Sequence, residues 1–320
     1  MRRIWTVGLL FSGFLGVAQG PNLKKDYSAV ENKVIEWRRD IHENPELSNR
    51  EFETAKKVSE HLKSLGIDVQ TEVAHTGVVG VLKGKKNGKT IALRADMDAL
   101  PVLERNDLPY KSTVKAEFKG EEVPVMHACG HDTHTAILMG VAEVLSKNKD
   151  KIKGTVKFIF QPAEEGFSGA KKMIDDGLFT QFPMEAVFGM HNWPGMAVGT
   201  FGVKAGPMMA SSNTFEVQLE GKGAHGGMPH LGVDPVMAAV QLAQSFQTII
   251  SRERDPLEPI VLSITQIHAG SADNVIPNKA TMRGTVRTFS DAALDFVERR
   301  MAEITSGLSA SHPMSLASST

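Results

Sequence analysis

The sequence carries one cysteine in 320 residues, Cys129, set in Met126-His127-Ala128-Cys129-Gly130-His131-Asp132 with a histidine two positions to either side. A thiolate beside imidazoles is the donor set that a soft or borderline transition metal prefers. Further ligand types follow the same texture: Asp96 and Asp98 in Arg94-Ala95-Asp96-Met97-Asp98, Glu164 and Glu165 in Phe160-Gln161-Pro162-Ala163-Glu164-Glu165-Gly166, and His191 in Gly189-Met190-His191-Asn192. Adjacent residues on extended chain point to opposite sides, so one of Glu164 and Glu165 can bind a metal while the other faces its water. Each residue also has a plainer reading. A lone buried cysteine is a small apolar side chain, a Glu-Glu pair is a solvated surface, strand-end aspartates cap turns, and a single histidine is a hydrogen-bonded core residue. Joint placement at the ends of strand-like segments raises the metal reading above these, and spacing alone carries it to a metal-dependent hydrolase.

The elements that must hold these residues read as α/β. Ser28 and Glu31 form a capping box for a helix with Val30, Val34, Trp37 and Ile41 on one face, ended by Pro45. A second box, Ser48 to Glu51, opens a helix lined by Phe52, Ala55, Val58, Leu62 and Leu65, with Gly66 as its stop. Strands are predicted over 68–73 and 77–82, and Asn87-Gly88 is expected to turn the chain into a third over 90–94. A helix over 133–145 follows the cysteine loop, and strands are predicted over 155–160 and 186–190. Strands alternating with helices place a site at strand ends of an α/β sheet. Beyond 205 the order becomes strand 214–219, helix 235–251, strands 260–268 and 279–288, and helix 291–307. That is most of a ferredoxin-like split βαβ unit. Its closing strand is expected to be missing, with 311–320 an unstructured serine-rich tail. The expected domains are 21–205 and 206–310.

The formal net charge is −1, with 36 basic and 37 acidic side chains and no basic block, which argues against nucleic acid and anionic membrane surfaces. One cysteine cannot form an intrachain disulfide. Arg2 and Arg3, the apolar run 4–18 and Ala18-Gln19-Gly20 make a signal-peptide pattern over 1–20. Export to a periplasm or the medium is therefore expected, with no membrane attachment after the leader is removed.

Arg94-Ala95-Asp96-Met97-Asp98-Ala99-Leu100-Pro101, the cysteine loop, Phe160 to Gly166, Gly189 to Gly195 and Gly221-Lys222-Gly223-Ala224-His225-Gly226, in this order, resemble the amidohydrolase branch of the dinuclear aminoacylase/carboxypeptidase family. That branch includes hippurate hydrolases, N-acyl-amino-acid amidohydrolases and indole-acetyl-amino-acid hydrolases. The resemblance implies a zinc-peptidase-like catalytic sheet flanked by helices, with a smaller ferredoxin-like domain that serves as lid and dimer contact. It implies two divalent ions (manganese, zinc or cobalt), with Cys129, His131, Glu165 and His191 as ligands and the thiolate bridging. Glu164 matches the general base and Asp98 a supporting acid. His225 matches a histidine that stabilises the oxyanion, often across a dimer, and Asn274 and Arg287 match positions that hold the substrate carboxylate. The substrate class implied is a small N-acyl amino acid or peptide. A zinc deaminase is excluded, because the His-x-Glu and Pro-Cys-x-x-Cys signature is absent.

One expected feature departs from the family. Its fifth ligand is a histidine on a segment that follows the small domain, and His312, before Pro313, stands in the wrong context for it. The second ion site is therefore expected to be incomplete and activity impaired, the alternative being a non-catalytic remnant that binds one metal or only dimerises.

Overall fold

The computed structural model describes residues 23–311 and 315–319, so the leader expected over 1–20 lies outside the described residues. The chain divides into two compact units at Met196/Ala197, upstream of the expected boundary at 205/206.

The first unit runs α1 (Lys24–Glu43), α2 (Phe52–Ser64), β1 (Asp68–Val73), β2 (Gly77–Lys83), β3 (Lys86–Asp96), β4 (Lys115–Phe118), β5 (Glu121–Pro124), α3 (His131–Lys147), β6 (Lys153–Gln161), α4 (Gly169–Asp175), α5 (Leu178–Gln181) and β7 (Ala186–Gly189). Its main sheet has the order β1-β2-β6-β3-β7. β6 explains why helices cover both faces. Phe158 and Phe160 pack with Val58, Leu62, Leu138 and Met139, whereas Ile159 between them packs with Val79, Ala92, Met173 and Leu178 on the other side. β3, β6 and β7 are parallel, so their carboxyl ends, carrying Asp96, Gln161 and Gly189, emerge on one edge. In a parallel sheet that edge is where sites are built.

Three local expectations are corrected here. Asn87-Gly88 makes no hairpin, because β6 lies between β2 and β3. Gly88 instead admits a close approach: a Cβ there would lie 2.8 Å from the Gly154 nitrogen, where the register of β3 on β6 slips between Lys86 and Thr90. Ser28 does not cap α1, which starts at Lys24. Ser48 and Glu51 do not form a box at α2 either. The Ser48 hydroxyl donates to Asp98, while buried Glu51 accepts from the Thr76 hydroxyl and the Ala163 N–H. At Ser48 and Glu51, long-range partners outcompeted the local cap.

The second unit runs β8 (Asn213–Glu220), β9 (Ala224–His225), α6 (Pro235–Thr248), β10 (Val261–Ala269), β11 (Val275–Ile276), β12 (Lys279–Arg287), α7 (Asp291–Ser311) and β13 (Ser315–Ser319). Its antiparallel sheet has the order β10-β12-β8-β13. Helices α6 and α7 pack on it through Leu242, Phe246, Val297 and Met301 against Phe215, Val217 and Met282. The expectation of a missing closing strand is overturned, and so is that of an unstructured tail over the described residues 315–319. β13 pairs antiparallel with β8 from Ser315↔Glu220 to Ser319↔Glu216. A serine-rich segment has weak strand propensity, but the open edge of β8 supplies main-chain partners that override it. Among the described residues no helix is long and apolar enough to cross a membrane.

Candidate metal centre

Asp98 organises the site. Two residues beyond the end of β3, its carboxylate accepts the Glu164 N–H at 3.0 Å, the Glu165 N–H at 2.9 Å and the Ser48 hydroxyl at 2.5 Å. Burial opposes its ionisation, but hydrogen bonds from His131, Ser48 and the Glu165 N–H hold its pKa below the ordinary value. The loop between β6 and α4 is thereby pinned to the end of β3.

Glu164 and Glu165 are not on extended chain, and this corrects the expected opposition of their side chains. Ala163, fully buried, takes a left-handed φ of +51° and the chain turns immediately after β6. Both carboxylates then converge on one imidazole. Glu164 Oε2 lies 3.9 Å and Glu165 Oε1 3.8 Å from His131 Nε2. A non-glycine residue in this conformation is strained, and the Ala163 N–H bonded to Glu51 at 2.8 Å helps hold it there.

His131 opens α3 directly after Gly130. Its Nδ1 donates to the Asp98 carbonyl at 2.8 Å, which leaves Nε2 as the ligand atom. That nitrogen is buried without a hydrogen-bond partner, as is Glu165 Oε1. Burial disfavours charging His131, yet its hydrogen bond with Asp98, the nearby Cys129 thiol and the charges of Asp96 and Asp98 push it up to about 11. Burial, with the charges of Glu164 and Asp98, also lifts Glu165 above its ordinary value, against Cys129 and His131. The pocket therefore demands positive charge, and a divalent cation meets that demand in place of a proton.

Cys129 and His191 complete the cluster. The Cys129 sulfur lies 3.5 Å from His191 Nε2, and His191 Nδ1 donates to the Asn192 carbonyl at 2.6 Å. That bond fixes the tautomer with the Nε2 lone pair turned to the sulfur. Three donor sets fall within 4.8 Å: Cys129, His131 and His191; His131, Glu164 and Glu165; and Asp96, His131 and His134. The third is excluded on hydrogen-bond grounds. The Asn192 N–H donates to His134 Nε2 at 3.0 Å and His134 Nδ1 bonds Asp96 at 2.6 Å, so both ring nitrogens are used. All three sets draw on the single free nitrogen of His131. His127 joins none of them. It is buried with both ring nitrogens unpartnered, and burial pushes it down to about 4.

Sequence reasoning missed the supports. His42 on α1 bonds Asp132 at 2.8 Å through Nδ1 and Glu104 at 2.9 Å through Nε2. Two carboxylates require both ring nitrogens to donate. The hydrogen bond that His42 donates to Asp132 is the largest cause of its raised pKa, acting against burial and aided by Glu104. This imidazolium ties the residue after His131 to the segment after Asp98. Spacing of His134 three residues beyond His131 was the one signal that could have found part of this shell.

In the second unit, His225 on β9 pairs with Val275 on β11, and the Gly226 N–H bonds the Asn274 carbonyl at 2.7 Å. His225 and Asn274 are thus neighbours. The Gly227 N–H donates to His225 Nδ1 at 3.0 Å, which puts the proton of the neutral ring on Nε2 as an outward donor. Arg287 is not brought to them. It closes β12 at the end away from Lys279, about 27 Å along a strand at roughly 3.4 Å per residue.

Two outcomes follow from this geometry. Gly130 has φ +89°, and a Cβ there would meet the Asn192 amide at 2.4 Å. Gly130→Ala is expected to cost about 1–2 kcal/mol from the left-handed backbone, measured by urea unfolding; a cost near zero would contradict the backbone assignment. Because His131 and the Cys129 thiol must each lose a proton to bind a metal, apparent affinity is expected to rise by at least about tenfold per pH unit between pH 6 and 8. Titration with manganese at several pH values checks this, and a flat profile would contradict it.

The model of "Peptidase family M20/M25/M40" matches residues 92–318. Thermostable carboxypeptidase 2 of Saccharolobus solfataricus is 46% identical over 289 residues, covering 88% of this chain and 71% of its own. Hippurate hydrolase of Campylobacter jejuni is 42% identical over 287 residues, covering 90% of this chain and 72% of its own. The crystal structure of a Bacillus subtilis dinuclear metal-binding peptidase from the M20 family superposes with a TM-score of 0.76 at 40% identity, over 91% of this chain and 74% of that one. These matches agree with the fold described above: the chain belongs to peptidase family M20/M25/M40, in its amidohydrolase branch.

Proposed function

We propose that this protein hydrolyses the amide bond of N-acyl amino acids bearing a free α-carboxylate, hippurate among them, or of small peptides. The observation that carries the reading is the convergence of Cys129, His131, Glu165 and His191, with His131 Nε2 and Glu165 Oε1 buried and unpartnered. Orphaned donors of this kind fit divalent ions, and thiolate softness favours zinc, with manganese and cobalt as alternatives. A bound ion supplies a Lewis acid that makes water a nucleophile near pH 7.

The protein side chains divide the remaining work. Glu164, its side chain 43% exposed beside buried His131, takes the proton from the attacking water and returns it to the leaving amine. Asp98 holds both glutamates in place. The His225 Nε2–H donates to the tetrahedral oxygen, a contribution of roughly 3–4 kcal/mol in comparable oxyanion sites. Asn274 and Arg287 bind the α-carboxylate, Arg287 in bidentate fashion. Their separation in one chain is reconciled by a homodimer in which the two residues come from different protomers. The printed activities of the relatives, a carboxypeptidase and a hippurate hydrolase, support the same substrate class. The leader pattern of residues 1–20 supports export, checked by a mature N-terminus at Pro21.

Since His131 has one free nitrogen for every donor set, Cys129, His131 and His191 would hold one ion tightly, and a second ion, relying on Glu165 and Cys129, would be held more weakly. The test is chelator-stripped protein reloaded with manganese, zinc or cobalt and assayed for glycine release from hippurate. Turnover that appears with metal and vanishes with chelator is expected. No turnover with any of the three ions, on hippurate or N-acetyl amino acids, would sink the proposal.

A further inference from the structure

A pocket of about 280 Å³ opens beside the donor cluster, within the first unit. Glu165 and Ser48 line it, and the Ser48 hydroxyl is the one bonded to Asp98, so it is continuous with the site. Its apolar wall comes from Leu47, Leu100, Pro101, Phe118 and Phe167. A larger cavity of about 650 Å³, lined by Trp37 and by Asp40, Lys57, Glu53 and Lys56, touches none of the candidate ligands. Both of its lysines are already paired, Lys57 with Asp40 and Lys56 with Glu53, which leaves no unpaired lysine there to read an anion.

The small pocket differs in its charges. Arg50 and Lys119 both line it. The Arg50 guanidinium donates to the Glu117 carbonyl at 2.6 Å, and the Lys119 ammonium lies 5.2 Å from the Phe118 ring. Among the described residues, neither has an ion-pair partner. Lys119 also occupies an unusual backbone position. It sits in the β4–β5 turn at φ +55°, followed by Gly120 at φ +85°, where asparagine or glycine is the favoured residue. A lysine there is strained, and it brings a cation to the pocket rim. Two unpaired cations on an apolar pocket that reaches a hydrolytic centre are the complement of an apolar arm ending in an anion.

We infer that this pocket is the acyl subsite and that it selects an acyl group with a carboxylate at its far end, read by Arg50 and Lys119. The inference rests on the amidohydrolase reading above. The acyl side is chosen because the α-carboxylate side is assigned to Asn274 and Arg287 of the second unit, whereas every lining residue of the pocket belongs to the first. The volume lies just under the roughly 300 Å³ at which drug-sized pockets begin, which suits a short arm.

N-glutaryl-glycine and N-pentanoyl-glycine have the same chain length and differ in the terminal carboxylate. The metal-loaded protein is expected to prefer the glutaryl compound in kcat/KM by about tenfold. The ratio falls towards one in Arg50→Gln/Lys119→Gln and is kept in Arg50→Lys/Lys119→Arg. Because the readout is a ratio, partial loss of folded protein cancels. Equal use of the two substrates, or a preference that survives in the glutamine pair, would overturn the inference. So would a preference that moves instead with the amine side, read as N-benzoyl-glutamate against N-benzoyl-glutamine. Equilibrium binding of glutarate against pentanoate to the metal-loaded protein separates the two readings. Tighter glutarate binding that depends on Arg50 and Lys119, without hydrolysis of any acyl-glycine, keeps the subsite and removes the amidohydrolase; hydrolysis without either preference does the reverse.

Discussion

Replacing Glu164 by glutamine is expected to lower kcat on hippurate by about 10²–10⁴, the usual worth of a positioned general base, with the first metal ion still bound. The side chain is half exposed while its neighbour Glu165 is largely covered, so Glu164 is the carboxylate placed to exchange a proton with entering water. Glutamine preserves shape and the backbone N–H that bonds Asp98, but it cannot accept the proton. Metal content by elemental analysis alongside initial rates distinguishes this from loss of the ion. A Glu164→Gln variant within threefold of wild-type kcat would remove Glu164 from the chemistry.

Asp98→Asn is expected to be the most damaging isosteric change in stability. The native carboxylate accepts from two backbone N–H groups and a hydroxyl, with His131 beside it. An amide turns one acceptor into a donor pointed at another donor. Breaking a buried, charge-assisted network of this kind costs about 3–5 kcal/mol. Loss of ligand orientation should also weaken metal binding by roughly 10–100-fold. Urea unfolding of metal-free protein and metal titration read the two effects separately. A stability change below about 0.5 kcal/mol would show that Asp98 does not organise the loop.

The helices and central strands were legible because their apolar periods are long and β6 is apolar throughout. The candidate donors could be picked out because Cys129, His131, Glu165 and His191 stand in long, distinctive segments, and the structure brings these residue types near one another. The rest depends on contacts between distant residues. The turn at Glu164 and Glu165 exists because Asp98 collects both amides and Ala163 accepts a left-handed φ, and no local pattern encodes that. Ser48 and Glu51 spell a cap and serve the site instead. His42 stands far in sequence from Asp132 and Glu104 and has no spacing that links the three. β13 is polar and short, and only the edge of β8 makes it a strand. Arg287 and Asn274 look alike as motif residues, yet Asn274 precedes the start of β12 and Arg287 closes its far end.

The central claim is that the lone thiolate binds the ion together with His131 and His191. Cobalt-loaded protein tests it directly, because a cobalt–thiolate bond gives a charge-transfer band in the near ultraviolet. The band is expected in wild-type protein and in Glu164→Gln, and it is expected to vanish in Cys129→Ser. Its absence from wild-type protein that has bound cobalt, or its survival in Cys129→Ser, would contradict the account.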